Sequence, residues 1–314
     1  MCIQVYFEMK NSILEKAVEQ KMQYNGVKIE ITYTDKQCVV QVDGDKEEAV
    51  NVIRIIWELA FLYDGYFYRP KKYIEGGQAI SVEKLSFLKF YKTDKNWYNA
   101  AISLHENTIL FSEKGLQAYD DFRNISRDSG KLIKSLLNSF YYLHSEAYEH
   151  ININHRLSLL LNICDGYVIN ISGETNNVGA NIKNVLGQNL DVKLVKYGAD
   201  LLGIPKSKLY DVLKQERNEI DHYICKKGSL TDYVFNRNDK RNDYVNWYFT
   251  YVIELALRIG FLRQVGYECP DERMRFAMND INDWIILECE LSAECKNPLN
   301  RMDQDMRKRG ITMR

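Results

Sequence analysis

The residues best equipped for chemistry lie together in Arg217-Asn218-Glu219-Ile220-Asp221-His222. A guanidinium binds phosphate through paired hydrogen bonds and stabilises charge that develops in a transition state. An imidazole titrates near neutrality and can take or give a proton. RNA carries its own nucleophile, the 2′-hydroxyl, so one base and one cation can cleave it without a metal. No His and carboxylate cluster with metal-ligand spacing occurs elsewhere, and no cofactor is expected.

These six residues belong to a helix that starts after Ile204-Pro205, where Pro suits a first turn. Leu209, Val212, Leu213, Ile220, Tyr223 and Ile224 form its apolar stripe. Arg217 falls at the stripe's edge. Asn218 and His222, four apart, stack on the opposite side. His222 is therefore expected to face solvent, a cleft or a second chain, with Asn218 placed to fix its tautomer. Residues five apart lie about 140° round a helix, so Arg217 and His222 do not converge on one straight helix. A local distortion would bring them together, as would the same helix from a second copy across a two-fold axis. The plainer alternative is a solvated face with an Arg217–Asp221 ion pair worth a few tenths of a kcal/mol.

The elements that must position this segment fall into two regions. In the first, Val27–Tyr33 and Cys38–Val42 alternate apolar and polar residues, with a polar link from Thr34 to Gln37, which predicts a hairpin. Asp45 reads as an N-cap with Glu47 and Glu48 in the first turn of a helix through Val50, Ile53, Ile56, Trp57 and Ala60. Further strand-like runs occur at Tyr66–Tyr68, Leu85–Tyr91 and Ile109–Phe111. From about Glu113 helical periodicity takes over, through Leu132, Leu136, Phe140 and Leu143, then through Leu157, Leu160, Leu161 and Cys164 from a start near His155-Arg156. The motif helix follows, then Tyr244–Leu262, apolar nearly all round and so central, and a last helix after Pro270 through Ala277, Ile281, Trp284, Ile285 and Leu291. Gly173–Gly187 reads as a loop with weak helix, and Lys226–Arg241 as a surface loop.

The expected fold class is thus an α+β N-terminal domain, residues 1–112, followed by an all-α helical bundle over 113–300 and a basic tail over 301–314. The N-terminal domain is a candidate for sensing or regulation.

Here the sequence resembles a family. Arg217-Asn218-Glu219-Ile220-Asp221-His222 matches the Arg-polar-x-x-x-His signature of HEPN proteins, helical-bundle proteins of prokaryotic toxins and phage defence. The run from Tyr142 through Ile169 is similar to the helices that precede the motif in the ApeA-like branch, whose members carry a strand-rich N-terminal domain. The resemblance spans roughly residues 115–295. It implies a HEPN-like bundle and a metal-independent endoribonuclease site shared by two protomers, with Arg217 and His222 catalytic and Asn218 beside them. It also implies RNA as substrate, a homodimer formed through the motif helix, a trigger or antitoxin partner, and a toxin or antiviral role. The adenylylated members place Tyr two residues after the His. Here Tyr223 follows directly and Ile224 holds that position, which departs from their pattern. The alternatives are a non-catalytic HEPN module that binds RNA or a protein, and a ligand-sensing helical regulator.

Composition excludes several classes. A formal net charge of −1 argues against a globally basic nucleic-acid binder, so any RNA surface must be local. The seven cysteines are irregularly spaced, contain no Cys-x-x-Cys and are odd in number. They read as small buried side chains in a reducing, cytoplasmic setting. The N-terminal residues lack the basic and apolar regions of a signal peptide, and Glu254 and Arg258, an i,i+4 pair in the most apolar helix, argue against a membrane span. His144, His150 and His155 read as helix-end or surface residues, and Arg156 as one half of a structural ion pair that could alternatively meet the motif helix. The four tryptophans read as core. Tyr66-Phe67-Tyr68 beside Arg69, Lys71 and Lys72 is an alternative nucleic-acid contact.

Overall fold

The computed structural model describes residues 1–9, 17–34, 37–85, 104, 109, 111–125, 133–144, 153–173, 177–190, 192–222 and 242–268. The chain divides into two compact units, one of Met1–His150 with Arg258–Cys269 and one of Ile151–Leu257 with Pro270–Arg314. The 112/113 boundary read from the sequence marks where strands give way to helices. The compact unit that holds the sheet runs on through the next two helices.

In the first unit six strands form one antiparallel sheet. They are β1 (Cys2–Glu8), β2 (Val18–Tyr24), β3 (Val27–Thr34), β4 (Gln37–Asp43), β5 (Arg69–Glu75) and β6 (Gln78–Ile80), in the order β2-β3-β4-β1-β5-β6. The expected β3–β4 hairpin is present, with Thr34 opposite Gln37. Register aligns the apolar residues into rows across three strands: Ile29–Val42–Ile3, Ile31–Val40–Val5 and Tyr33–Cys38–Phe7. All nine are buried, whereas Gln4, Tyr6, Gln41 and Thr32 on the other face are half-buried. One dry face and one wetted face is the usual arrangement of an antiparallel sheet.

Helix α1 (Lys46–Asp64) lies against β1 and β4. Asp45 caps it as expected, accepting from the Glu47 and Glu48 amides at 2.9 and 3.2 Å. Gly65, at φ 75°, ends it in the left-handed conformation and returns its N–H to Phe61. The next orphan carbonyls, Leu62 and Tyr63, accept from Arg258 Nε and Nη2 at 2.9 and 2.6 Å. A Cβ at position 65 would stand 2.4 Å from Arg258 Nη1, so the cap and the guanidinium exclude any side chain there. Helices α2 (Glu113–Arg123) and α3 (Ile133–Tyr142) complete the described helices of this unit's first segment.

Several sequence expectations change here. The strand expected at Tyr66–Tyr68 begins at Arg69 instead, and Phe67 and Tyr68 are buried at 6% and 3% exposure. Phe67 packs on Trp57 and Phe61, and Tyr68 lies beside Phe7, so the two are not an exposed stacking platform. Ile109 and Phe111 form no strand. Their carbonyls accept from Tyr33 Oη and from the Gln20 side chain, which serves in place of a ladder. Leu85 ends a short 3₁₀ turn, and the rest of that expected strand lies outside the described residues. His144 follows α3, but it is 3% exposed and enclosed by Phe61, Phe140 and Phe67 rather than at the surface.

The described residues of the second unit are helical. Helix α4 spans Ile153–Ser172, α5 Val178–Asn189, α6 Val192–Leu202 and α7 Lys206–His222. The first part of α8 (Asn242–Gln264) belongs to this unit and its last turns to the other. Helices α4, α5 and α7 are in mutual contact, and α6 lies on α7. The loop expected over Gly173–Gly187 is mostly α5. Asn177 caps it by accepting from the Ala180 amide, and Ile182, Val185 and Leu186 bury its inner face. Helix α6 has no counterpart in the sequence reading. The expected helix after Pro270, the 226–241 loop and the basic tail lie outside the described residues. So do His150 and the cysteines beyond Cys164. Cys38 and Cys164 are buried free thiols, raised in pKa chiefly by burial. Among the described residues no helix is long and apolar enough to cross a membrane.

Candidate functional site

Helix α7 is one continuous α-helix from Lys206 to His222. Of its expected core stripe, Leu209, Val212 and Leu213 are all but fully buried, and the Ile220 side chain, Tyr223 and Ile224 lie outside the described residues. One turn on, the stripe continues not with an apolar residue but with Glu216, at 0% exposure. Arg217 and Asn218 follow it, both half-buried. The stripe's edge is thus where Arg217 sits.

Arg217 is oriented from two sides. Its Nε donates to Asn162 Oδ1 on α4 at 2.6 Å, and its Nη1 donates to Asn218 Oδ1 at 3.1 Å. Ser158 Oγ, one turn before Asn162, donates to the Arg217 carbonyl at 3.5 Å. The guanidinium plane is therefore set by a side chain on a neighbouring helix, while its own carbonyl is also engaged. Asn218 was expected to hold His222. Its Oδ1 accepts from Arg217. His222 is the last described residue of α7, and its side chain, with any bond to Asn218, lies outside the described residues. No distortion breaks the helix between positions 217 and 222, so they remain about 140° apart around its axis.

Asn162 and Ser158 were absent from the sequence reading. A signal for them exists. Ser158, Asn162 and Asp165 interrupt the otherwise apolar middle of the helix, residues 157–169, at i, i+4 and i+7, which makes one polar line. Each member has work on a neighbouring helix: Asp165 Oδ1 accepts from Asn181 Nδ2 of α5 at 2.6 Å.

Arg156 resolves the other way. It is buried on α4 and pairs with Glu254 of α8 at 3.5 Å. Burial lowers its pKa and the Glu254 charge opposes that shift. It serves as the structural ion pair. Glu254 and Arg258, expected as an i,i+4 pair, take Arg156 and the α1 carbonyls respectively. Among the described residues no group of three or more His, Cys, Asp or Glu is gathered as metal ligands would be.

Comparison with protein-family models, with curated proteins and with solved structures finds no match for this chain.

Proposed function

We propose that this chain is a metal-independent endoribonuclease of the HEPN type, with Arg217 and His222 as its catalytic residues and Asn218 as a positioning residue. The observation that carries the reading is the guanidinium of Arg217, half-buried at the edge of α7 and aligned by Asn162 and Asn218. A pre-oriented guanidinium suits a phosphate whose charge grows during reaction, because little reorganisation remains to be done.

In the proposed reaction His222 takes the proton of an RNA 2′-hydroxyl. The oxygen attacks the adjacent phosphorus, the P–O5′ bond breaks, and the leaving oxygen takes up the proton that the imidazole holds. The products are a 2′,3′-cyclic phosphate and a 5′-hydroxyl. The regular course of α7 separates the two positions around the axis, which favours a site composed from two copies of the helix. The chain would then act as a homodimer, as a growth-arrest or antiviral effector restrained or triggered through its sheet-containing unit.

The test is RNA cleavage by the purified full chain in EDTA, read by end-group chemistry. Wild type is expected to leave cyclic phosphate ends, and Arg217→Ala and His222→Ala to lose about a thousandfold in rate. Cleavage by His222→Ala at the wild-type rate sinks the assignment.

The same contact supports a second reading. Arg217 Nε is committed to Asn162, as in a clamp between two helices. A non-catalytic HEPN module that binds RNA or a protein predicts binding without cleavage, and a loss of stability on Arg217→Ala.

A further inference from the structure

Lys214 stands three residues before Arg217 on α7. The two therefore lie about 60° apart around the axis and about one turn apart along it, with roughly 5–6 Å between their Cβ atoms. Lys214 is half-buried, because its stem crosses the start of α5. A Cβ at Gly179 would stand 3.6 Å from Lys214 Cδ and 3.6 Å from the Tyr210 carbonyl oxygen. Gly179 is the second residue of α5, and Asn177 caps that helix. The stem thus rests on the first turn of one helix while its own helix carries Arg217.

The charges around this stem are unbalanced. Among the described residues the Lys214 ammonium makes no ion pair and no hydrogen bond. Asp211, one turn before it, is exposed and does not pair with it, and Glu216 is fully buried on the other side of α7. The first turn of a helix carries partial positive charge, so a cation laid there is unfavourable unless an anion joins the two. The wider stretch has the same bias. Residues 178–218 hold seven Lys and Arg against four Asp and Glu, in a chain whose net charge is −1. That is a local basic surface of the kind a near-neutral protein needs to meet nucleic acid.

We propose that Lys214 binds the phosphodiester next to the one held by Arg217, so that a single strand of RNA runs along α7 toward its N-terminal end. The inference rests on the ribonuclease reading of α7 and adds the path of the substrate. Lys214 touches no reacting atom and is a substrate-binding residue. An ammonium is a compact point charge that meets a phosphate without the fixed fork of a guanidinium. It anchors the strand and reads no base.

The test uses the full chain and a fluorescein-labelled 2′-O-methyl oligouridylate, which keeps its phosphates and cannot be cleaved through the 2′-oxygen. Fluorescence anisotropy gives Kd over a series of sodium chloride concentrations. Lys214→Gln is expected to raise Kd about three- to tenfold and to reduce the slope of log Kd against log salt by about 0.7, the share of one phosphate on a single strand. Lys214→Arg, which keeps the charge, is expected to stay within about twofold of wild type. On cleavable RNA, Lys214→Gln raises KM and leaves kcat nearly unchanged. If Lys214→Gln does not fold, Lys214→Met, which keeps an unbranched stem on Gly179, gives the same comparison. A folded variant with the wild-type Kd and salt slope overturns the path and leaves the ribonuclease reading to the His222→Ala assay. The expected loss of binding in a chain that cleaves nothing supports the path and sinks the ribonuclease reading instead. No binding by wild type overturns the path.

Discussion

Asn162 Oδ1 accepts the Nε–H of Arg217 at 2.6 Å and so joins α4 to α7 at the point where the motif begins. The bond has a neutral acceptor and a charged donor, a combination stronger than a neutral pair. It fixes the direction of the guanidinium fork without cancelling its charge, which a carboxylate in the same place would do.

Asn162→Ala is accordingly expected to lower stability by about 1–2 kcal/mol in urea unfolding. Under the ribonuclease reading it also slows cleavage roughly ten- to a hundredfold through kcat, with RNA affinity changed much less. Asn162→Asp is expected to restore stability and not rate, because its charge neutralises Arg217. Unfolding midpoints and a kcat-against-KM comparison check both.

The Arg156–Glu254 pair gives a second test. Glu254→Gln leaves a buried guanidinium without its counter-charge and is expected to cost about 3–5 kcal/mol. Replacing both residues by Met removes the two desolvation terms together and should cost markedly less than the single change. A double-mutant cycle measures the difference, and equal losses for the single and double variants would contradict it.

His144 predicts a pH dependence. Its pKa lies well below the ordinary value, first because of burial and then because of the Arg258 charge. The folded state therefore refuses a proton that the unfolded state accepts. Stability is unaffected above about pH 6.5, where both states are neutral, and falls as pH drops below it, by up to about 1.4 kcal/mol per unit. Glu58 works in the opposite sense, since burial raises its pKa and its contribution is lost as pH rises. The difference between wild type and His144→Phe isolates the histidine. That difference should grow steadily from pH 6.5 to 5, and a constant offset would refute the assignment.

Gly198 marks where α6 meets α8. A Cβ there would come within 2.8 Å of Phe249 Cε1 and Cζ and 3.0 Å of Tyr248 Cε1. Gly198→Ala gains helix propensity of up to about 1 kcal/mol but overpacks a contact where Tyr248 also donates to the Leu194 carbonyl at 2.7 Å. The expected net change is a loss of about 1–2 kcal/mol, measured by chemical denaturation.

How much of this was legible beforehand depended on the kind of signal. The β3–β4 alternation, the Asp45 cap, the Pro205 helix start and the apolar run of α8 carry their structure locally, and each forms as expected. Other local signals were present and went unread. Asn25-Gly26, at φ 47° and 75°, is the two-residue turn that closes β2 on β3, and Gly76-Gly77 closes β5 on β6. The outer strands they join are polar or contain Pro70, so burial patterning gave no hint of them. Around the motif, the wheel placed Arg217 correctly at the stripe's edge. The same wheel puts Glu216 on the stripe, a signal that went unread, but it could not supply Asn162, which comes from another helix. That contact depends on a tertiary neighbour, as does the aromatic enclosure that turns His144 inward.

The place of β1 in the sheet has a consequence for synthesis. It is made before both of the strands it pairs with, β4 at Gln37–Asp43 and β5 at Arg69–Glu75. While the chain emerges from a ribosome, one edge of β1 stays unpaired until β4 arrives, the face of Ile3, Val5 and Phe7 stays uncovered until α1 packs on it, and the second edge stays open until β5 follows. An apolar strand with an unpaired edge is a template for wrong partners. Translation slowed between residues 43 and 69 should therefore increase aggregation more than a pause after residue 75.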